Sequence, residues 1–202
     1  MNIDLRDQLK QRKQAYVQDE ILSAAARLFG ERGFRAITIN DIAASLGYTK
    51  SVVYYYFTNK NEILWQIFLR MCDRYIITVN EVLQQQDLLP QEKLKQILYR
   101  HCLNVMTQKD WTAIFFREES ELLPEQLDHM RKHKREYDSL IEEVFEDGVK
   151  AGVFKSIPSH IAVGGFLGMC NWLHTWYSDK GPLTAEEIAT YYSDMLADGY
   201  LK

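Results

Sequence analysis

T-I-N-D-I-A-A-S-L-G-Y-T-K-S-V-V-Y-Y-Y-F-T-N-K, running from Thr38 to Lys60, decides the fold of this 202-residue chain. Two short helical patterns flank a glycine. Thr38 stands where a helix needs a cap, with Asp41 three residues on to complete a capping box. Ile39, Ile42, Ala43 and Leu46 recur at helical spacing and supply one apolar face. Gly47 follows, and glycine most readily takes the left-handed conformation in which a chain leaves a helix. Thr49 is placed to cap a second helix, whose Val53 and Phe57 share one face. Lys50, Ser51, Tyr54 and Tyr56 fall elsewhere on it, toward solvent or a ligand.

Two helices joined by a tight glycine turn describe a helix-turn-helix, whose second helix enters the major groove of DNA. Thr49, Lys50 and Ser51 are small, hydroxylated or basic, and approach base edges or phosphates without bulk. Tyr54 and Tyr56 carry hydroxyls that reach backbone oxygens. Helical domains that bind no DNA contain such pairs too, so the pattern alone leaves both readings open.

The wider stretch from Ile21 to Leu64 resembles the DNA-binding domain of TetR-family transcriptional repressors. The matching segments are A-A-R-L-F-G-E-R-G-F (25 to 34), T-I-N-D-I-A-A-S-L-G (38 to 47) and Y-Y-Y-F-T-N-K-N-E-I-L (54 to 64). The resemblance implies phosphate contacts from Thr38, Tyr54, Tyr56 and Lys60. It implies base-side contacts from Thr49, Lys50 and Ser51, with Asn40 as a further candidate. Many members carry glycine where Ser51 stands and histidine where Tyr56 stands. Both replacements keep a hydrogen-bonding group near DNA, so they bear on operator sequence more than on DNA binding.

Composition sets bounds on the rest. The chain is 47% hydrophobic and 26% charged, as globular proteins are, and no apolar run approaches the ~20 residues that span a bilayer. M-N-I-D-L-R-D-Q-L-K at the N-terminus lacks an apolar signal core, so a cytoplasmic address and no membrane partner are expected. Cys72, Cys102 and Cys170 are widely separated and read as small buried hydrophobes. The net charge of −4 is unevenly shared. Residues 1–62 hold 9 Lys/Arg against 7 Asp/Glu, a balance of +2, and the remainder holds 15 against 21, a balance of −6. Arg6, Lys10, Arg12 and Lys13 form a basic cluster read either as a DNA-contacting arm or as a frayed, solvated lead-in to a first helix over Tyr16 to Arg32.

Beyond the helix-turn-helix, every segment has helical period. Asn59 and Glu62 open a helix expected over Lys60 to Gln85, roughly 39 Å long at 1.5 Å per residue. Further helices are expected around Leu94 to Val105, from Trp111 toward Pro124, and from Pro124 to Ala151. Ile161 to Tyr177 is apolar nearly all round, which signals burial on more than one side, and Gly164 and Gly168 would admit a close helix. Thr184 and Glu187 cap a last helix that ends near Gly199. The fold class is all-α, with a helix-turn-helix domain over 1–62 and a helical effector-binding and dimerisation domain over 63–202.

The TetR resemblance implies a homodimer in which the last two helices of each subunit form a four-helix interface. A dimer presents two recognition helices, so its operator is expected to be a near-palindrome. It also implies a small-molecule effector that releases the DNA, with the long fourth helix carrying the motion. Candidate cavity residues among 63–178 are the aromatic Phe68, Trp111, Phe115, Phe116, Phe166, Trp172 and Trp176, any of which equally suits a core. Asn171 and His174 are polar within an apolar helix, where burial demands a partner. Arg117 suits an anionic ligand group or a salt bridge to Glu118 or Glu121. F-F-R-E-E-S (115 to 120) and G-M-C-N-W-L-H-T-W-Y (168 to 177) look like a TetR subgroup controlling lipid or acyl-CoA breakdown, which implies a hydrophobic, acyl-CoA or fatty-acid-like effector.

Rival readings are an enzyme, a metal- or redox-sensing regulator and a helical scaffold. No G-x-S-x-G, phosphate-binding glycine loop or H-E-x-x-H occurs, so no enzyme and no cofactor is expected. His129 with His133, and Cys170 with His174, have the i, i+4 spacing of metal ligands but lack the further ligands a site needs. A scaffold is separated from a regulator by salt-dependent DNA binding.

Overall fold

The first helix, α1, covers Leu5–Arg32 in the computed structural model, which describes residues 5–202. The opening residues 1–4, part of the N-terminal stretch read as lacking a signal core, lie outside the described residues. α1 starts well before the expected Tyr16, and Arg6, Lys10, Arg12 and Lys13 are exposed on its first three turns. Residues 6–15 are rich in strong helix formers and bury no apolar side chain, so propensity builds this part and no apolar period announces it. Its second half buries Ile21, Leu22, Ala25, Ala26 and Phe29.

α2 (Ile39–Ser45) and α3 (Lys50–Tyr56) form the helix-turn-helix. The capping box is complete: the Asp41 N–H donates to the Thr38 hydroxyl at 3.2 Å and the Thr38 N–H donates to the Asp41 carboxylate at 2.8 Å. Gly47 turns the chain between them at φ 69°, a conformation that costs a residue bearing a Cβ. Thr49 occupies the capping position of α3, yet its hydroxyl makes no capping hydrogen bond, contrary to expectation. Val53 and Phe57 are buried as the spacing requires.

α4 (Lys60–Leu83) opens on Asn59, whose side chain accepts the Glu62 N–H at 2.9 Å. Its 24 residues extend about 36 Å and cross from one hydrophobic core to the other. α5 (Pro90–Thr107) and α7 (Pro124–Lys150) each begin on the proline itself, which fits the first helical position because it has no N–H to leave unpaired. α6 (Lys109–Arg117) runs into a short 3-10 turn, Glu119–Glu121.

The expected continuous helix from Ile161 to Tyr177 is instead two, α8 (Ser159–Asn171) and α9 (Leu173–Trp176). At the break His174 Nδ1 lies 2.6 Å from the Asn171 carbonyl, and the Trp172 carbonyl accepts both the Thr175 N–H at 3.0 Å and the Thr175 hydroxyl at 2.7 Å. Within the chain the second side of this segment is open, with Ile161, Met169, Trp172 and Trp176 exposed. Gly164 and Gly168 have no neighbour within 4 Å of where a Cβ would stand. α10 (Ala185–Gly199) begins on the expected Thr184–Glu187 capping box and packs along α5.

Two apolar cores result. The first joins α1, α2, α3 and the start of α4 to Ile114 of α6, Leu122 and Met130. The second gathers the end of α4 with α5, α7, α8, α9 and α10 around Phe145, Phe154 and Phe166. Phe154 stacks on Phe145 at 5.2 Å and fills the space above Gly148, where a Cβ would meet the ring at 2.1 Å. No strand forms among the described residues; a single bridge pairs Phe154 with Leu201. The molecule is all-α.

Candidate nucleic-acid interface and ligand cavity

The helix-turn-helix leaves a set of polar side chains facing outward. Asn40, Thr49, Lys50, Ser51 and Tyr54 are exposed, and none of their side chains hydrogen-bonds to another described residue. The Lys50 ammonium lies 5.4 Å from the Tyr54 ring centre. Thr49, Lys50 and Ser51 stand at the start of α3 and offer hydroxyl and ammonium donors, groups able to meet base edges and phosphates. The Thr38 hydroxyl, by contrast, is held 2.6 Å from the Asp41 carboxylate. Tyr56 is half-buried against the first core, edge-on to Tyr55. Tyr55 is the more exposed of the two, and its hydroxyl faces Gln14 of α1 at 3.4 Å.

Lys60 is placed differently from the other predicted contacts. Its ammonium donates to the Phe34 and Ile37 carbonyls at 2.7 and 2.8 Å and lies over the Phe34 ring at 4.2 Å. Burial pulls its pKa below the ordinary lysine value, opposed by the nearby Glu121 and Glu118 carboxylates. Two of its three protons therefore brace the connection between α1 and α2, and one remains for a phosphate.

In the other half, α4, α5, α6, α7 and α8 enclose a cavity of about 350 Å³. His101 and Thr112 form its closed end, only 4% and 1% exposed, whereas Phe116 at 44% and Lys134 at 37% mark its mouth. His101 is bonded on both sides, Nδ1 to the Tyr137 hydroxyl at 2.8 Å and Nε2 to Asn171 Oδ1 at 2.9 Å. Its ring packs beside those of Tyr75 and Tyr137. Burial depresses the His101 pKa to about 4, with the Asn171 bond acting in the opposite sense. Burial likewise raises the Tyr75 and Tyr137 phenols and takes the Cys72 thiol to about 12, so the inner wall is uncharged at neutral pH. At the mouth Lys134 pairs with Glu119 at 3.1 Å and lies over the Phe115 ring at 4.9 Å. Burial, then neighbouring Glu142, raises the pKa of Asp138.

α6 touches both regions. Thr112, Phe115 and Phe116 line the cavity. Just beyond them Glu118 accepts the Phe34 N–H at 3.2 Å, and Glu121 accepts from Arg35 Nε at 2.8 Å.

Comparison with known proteins follows this division of the chain. Residues 21–67 match the family described as bacterial regulatory proteins, tetR family, and residues 87–200 match the tetracyclin repressor-like C-terminal domain. The chain belongs to the TetR family of transcriptional regulators.

Among TetR relatives, the transcriptional repressor KstR2 of Mycolicibacterium smegmatis is 25% identical over 185 residues, covering 90% of this chain and 89% of that protein. The crystal structure of PfmR from Thermus thermophilus superposes with a TM-score of 0.81 at 28% identity, covering 88% of this chain and 97% of that one. That of AibR in complex with isovaleryl coenzyme A and operator DNA gives a TM-score of 0.77 at 27% identity, covering 88% and 96%.

Of the cavity residues proposed from the sequence of this TetR regulator, Phe115, Phe116 and Asn171 line the cavity. Phe68 is buried in the first core behind Phe115, and Phe166 in the second core between Phe145 and Tyr200. Trp111 lines a shallow groove between α1 and the α5–α6 junction. Trp172 is 64% exposed on the outside of the molecule, as its position at the helix break dictates. His174 stacks on Phe116 at 5.2 Å and turns its Nδ1 to the Asn171 carbonyl, behind the wall rather than in it. Arg117 is exposed, and the carboxylates expected to pair with it are taken by Phe34 and Arg35.

Sequence reasoning passed over Tyr75, His101, Thr112, Lys134 and Tyr137. A signal existed in His101, which falls beside Leu98 and Cys102 on the apolar face of α5, but its partners lie 36 and 70 residues away. The paired residues weighed as metal ligands behave otherwise. His129 and His133 face each other, Nε2 to Nε2, at 2.8 Å. Cys170 is buried, and the neighbouring Cys102 thiol together with burial pushes its pKa up, while His174 turns to Phe116. No cluster of three or more His, Cys, Asp or Glu suited to a metal ion occurs among the described residues, and no helix is long and apolar enough to cross a membrane.

Proposed function

We propose that this regulator is a repressor that binds a palindromic operator as a homodimer and leaves it when a small, largely apolar effector enters the cavity. The helix-turn-helix domain is assigned to 1–62 and the effector and dimerisation domain to 63–202. The observation that carries this reading is α6, which lines the cavity with Thr112, Phe115 and Phe116 and grips the α1–α2 connection through Glu118. A molecule that displaces the two phenylalanines moves the carboxylate holding Phe34, and with it the orientation of the recognition helix. Such couplings typically shift affinity by ~1–3 kcal/mol.

Base contacts are assigned to Thr49, Lys50 and Ser51, with Asn40 beside them, and backbone contacts to Thr38, Tyr54, Tyr56 and Lys60. The dimer is assigned to the apolar face of α8, α9 and α10, where Ile161, Trp172, Trp176, Tyr191 and Met195 are exposed. Contiguous exposed apolar surface of this kind marks an interface. An acyl-CoA or fatty-acid-like effector is supported by the apolar cavity with its lysine-bearing mouth, and by the isovaleryl coenzyme A in the related AibR complex.

The test is selection of randomised duplex DNA by the purified protein at low salt, followed by effector titration of the selected complex. A recovered near-palindrome, bound by two chains and released by acyl-CoA or fatty acid, is the expected result. Failure of the folded protein to enrich any sequence would overturn the reading. Affinity that does not fall as salt rises would favour a scaffold.

A further inference from the structure

The closed end of the cavity has a direction built into its hydrogen bonds. Asn171 Oδ1 is an acceptor, so the His101 nitrogen facing it, Nε2, carries the proton. His101 Nδ1 is then the acceptor, and the Tyr137 hydroxyl must donate to it. The relay runs from Tyr137 to His101 to Asn171 and ends on the two amide protons of Asn171. No described residue accepts either proton, and Asn171 Nδ2 is not among the buried polar atoms without a partner. Those protons therefore face open space, and Asn171 lines the cavity.

The surroundings decide what they would bind. Tyr75, His101, Thr112 and Tyr137 are all uncharged at neutral pH, and Lys134, at the mouth, stands on α7 with Asp138. A carboxylate at the closed end would be stripped of water with only neutral donors in exchange, which disfavours the charged form. An ammonium would meet donors. An uncharged carbonyl oxygen loses little hydration and gains the amide hydrogen bond.

We propose that Asn171, held by His101 and Tyr137, is the specificity-determining subsite of this cavity and takes the oxygen of an uncharged carbonyl, as in a ketone, ester or amide, at the buried end of an apolar ligand. Any anionic part of that ligand stays at the Lys134 mouth. The inference rests on the cavity being the effector site, and it adds which end enters and which functional group is read there.

Direct binding tests it without DNA. Calorimetry on the full chain would compare 4-phenyl-2-butanone with butylbenzene, which lacks the oxygen, and with 4-phenylbutyrate, which replaces the ketone by a carboxylate. The ketone should bind about ten-fold tighter than the hydrocarbon, the value of one net hydrogen bond. Asn171→Leu should abolish that preference while leaving butylbenzene affinity within about two-fold. Tyr137→Phe is the gentler variant: it frees the His101 tautomer and should lower the preference about three-fold in a fully folded protein.

Equal binding of ketone and hydrocarbon by the parent would overturn the subsite, as would a preference for the carboxylate or binding of none of the three. Retention of the ketone preference in Asn171→Leu would overturn it equally. Ketone binding that obeys these expectations without releasing selected DNA would leave the subsite standing and defeat effector release instead.

Discussion

The two ends of this protein place their polar groups by opposite means. At the helix-turn-helix, Asn40, Thr49, Lys50 and Ser51 are exposed and bond to nothing else in the described chain, and residues three or four positions away set the helices that carry them. In the cavity, His101 is buried and fully bonded, and its partners arrive from α7 and α8. The first arrangement keeps donors available for an external, hydrated and charged partner. The second spends most of its donors on each other and leaves one amide for a ligand. A DNA-reading surface is thus built locally and left unsatisfied, whereas a ligand cavity is built globally and left nearly satisfied.

The contrast can be broken most forcefully at His101. Its folded pKa of about 4 lies below the unfolded value near 6.5. Above pH 6.5 the ring is neutral in both states and costs nothing. Between 6.5 and 4 the unfolded chain takes up a proton that the folded chain refuses, so stability falls as pH falls. The loss should approach about 3 kcal/mol by pH 4. Chemical denaturation at stepped pH checks it, and His101→Gln should flatten that part of the profile. A parent protein equally stable at pH 6.5 and 4.5 would show that the ring is open to solvent.

Lys60 is expected to give the next largest effect, because it belongs partly to each class. Lys60→Met strands the Phe34 and Ile37 carbonyls and should cost about 2 kcal/mol of stability. It should also weaken binding to all DNA sequences alike. An unchanged melting curve would mean that the brace is dispensable.

Thr38→Ala removes one half of the capping box and should cost about 1 kcal/mol, felt as fraying of α2 by amide exchange. Glu118→Ala acts between the two ends. Operator affinity without effector should change little, while the effector's influence on it should shrink about three-fold as the grip on Phe34 is lost. A full response in that variant would move the coupling to α4.

Lys50→Ala should have the smallest effect on folding, within about ±0.5 kcal/mol, since Lys50 is exposed with only the Tyr54 ring beside it. Its effect belongs to DNA alone: a lower salt slope if it meets phosphate, or an altered preferred sequence if it meets a base.

Legibility follows the same line. Thr38 with Asp41, Asn59 with Glu62 and Thr184 with Glu187 are signals three residues long, and each cap forms where the sequence places it. The apolar period marks Ile21 to Phe29 but misses residues 6–15, because a helix segment with no buried apolar side chain has no period to show. Phe68, Phe166 and Trp172 illustrate the opposite difficulty. An aromatic at helical spacing carries no mark of whether a cavity, a core or solvent lies beyond it, and these three went to two cores and the surface. Asn171 was readable because an amide in an apolar helix needs a partner; that the partner is His101 was not.

The sequence by itself determined an all-helical chain, its helix boundaries near caps, prolines and glycines, and a helix-turn-helix whose exposed face is polar. Tertiary structure alone decided the break at Trp172, the diversion of Lys60 into a brace, the cavity and the relay at its closed end. The reason is range. Capping and amphipathicity act over three or four residues of one helix, and their spacing is written in the chain. A cavity is the space five helices leave unfilled, and its shape depends on side chains whose separation in sequence bears no relation to their separation in space.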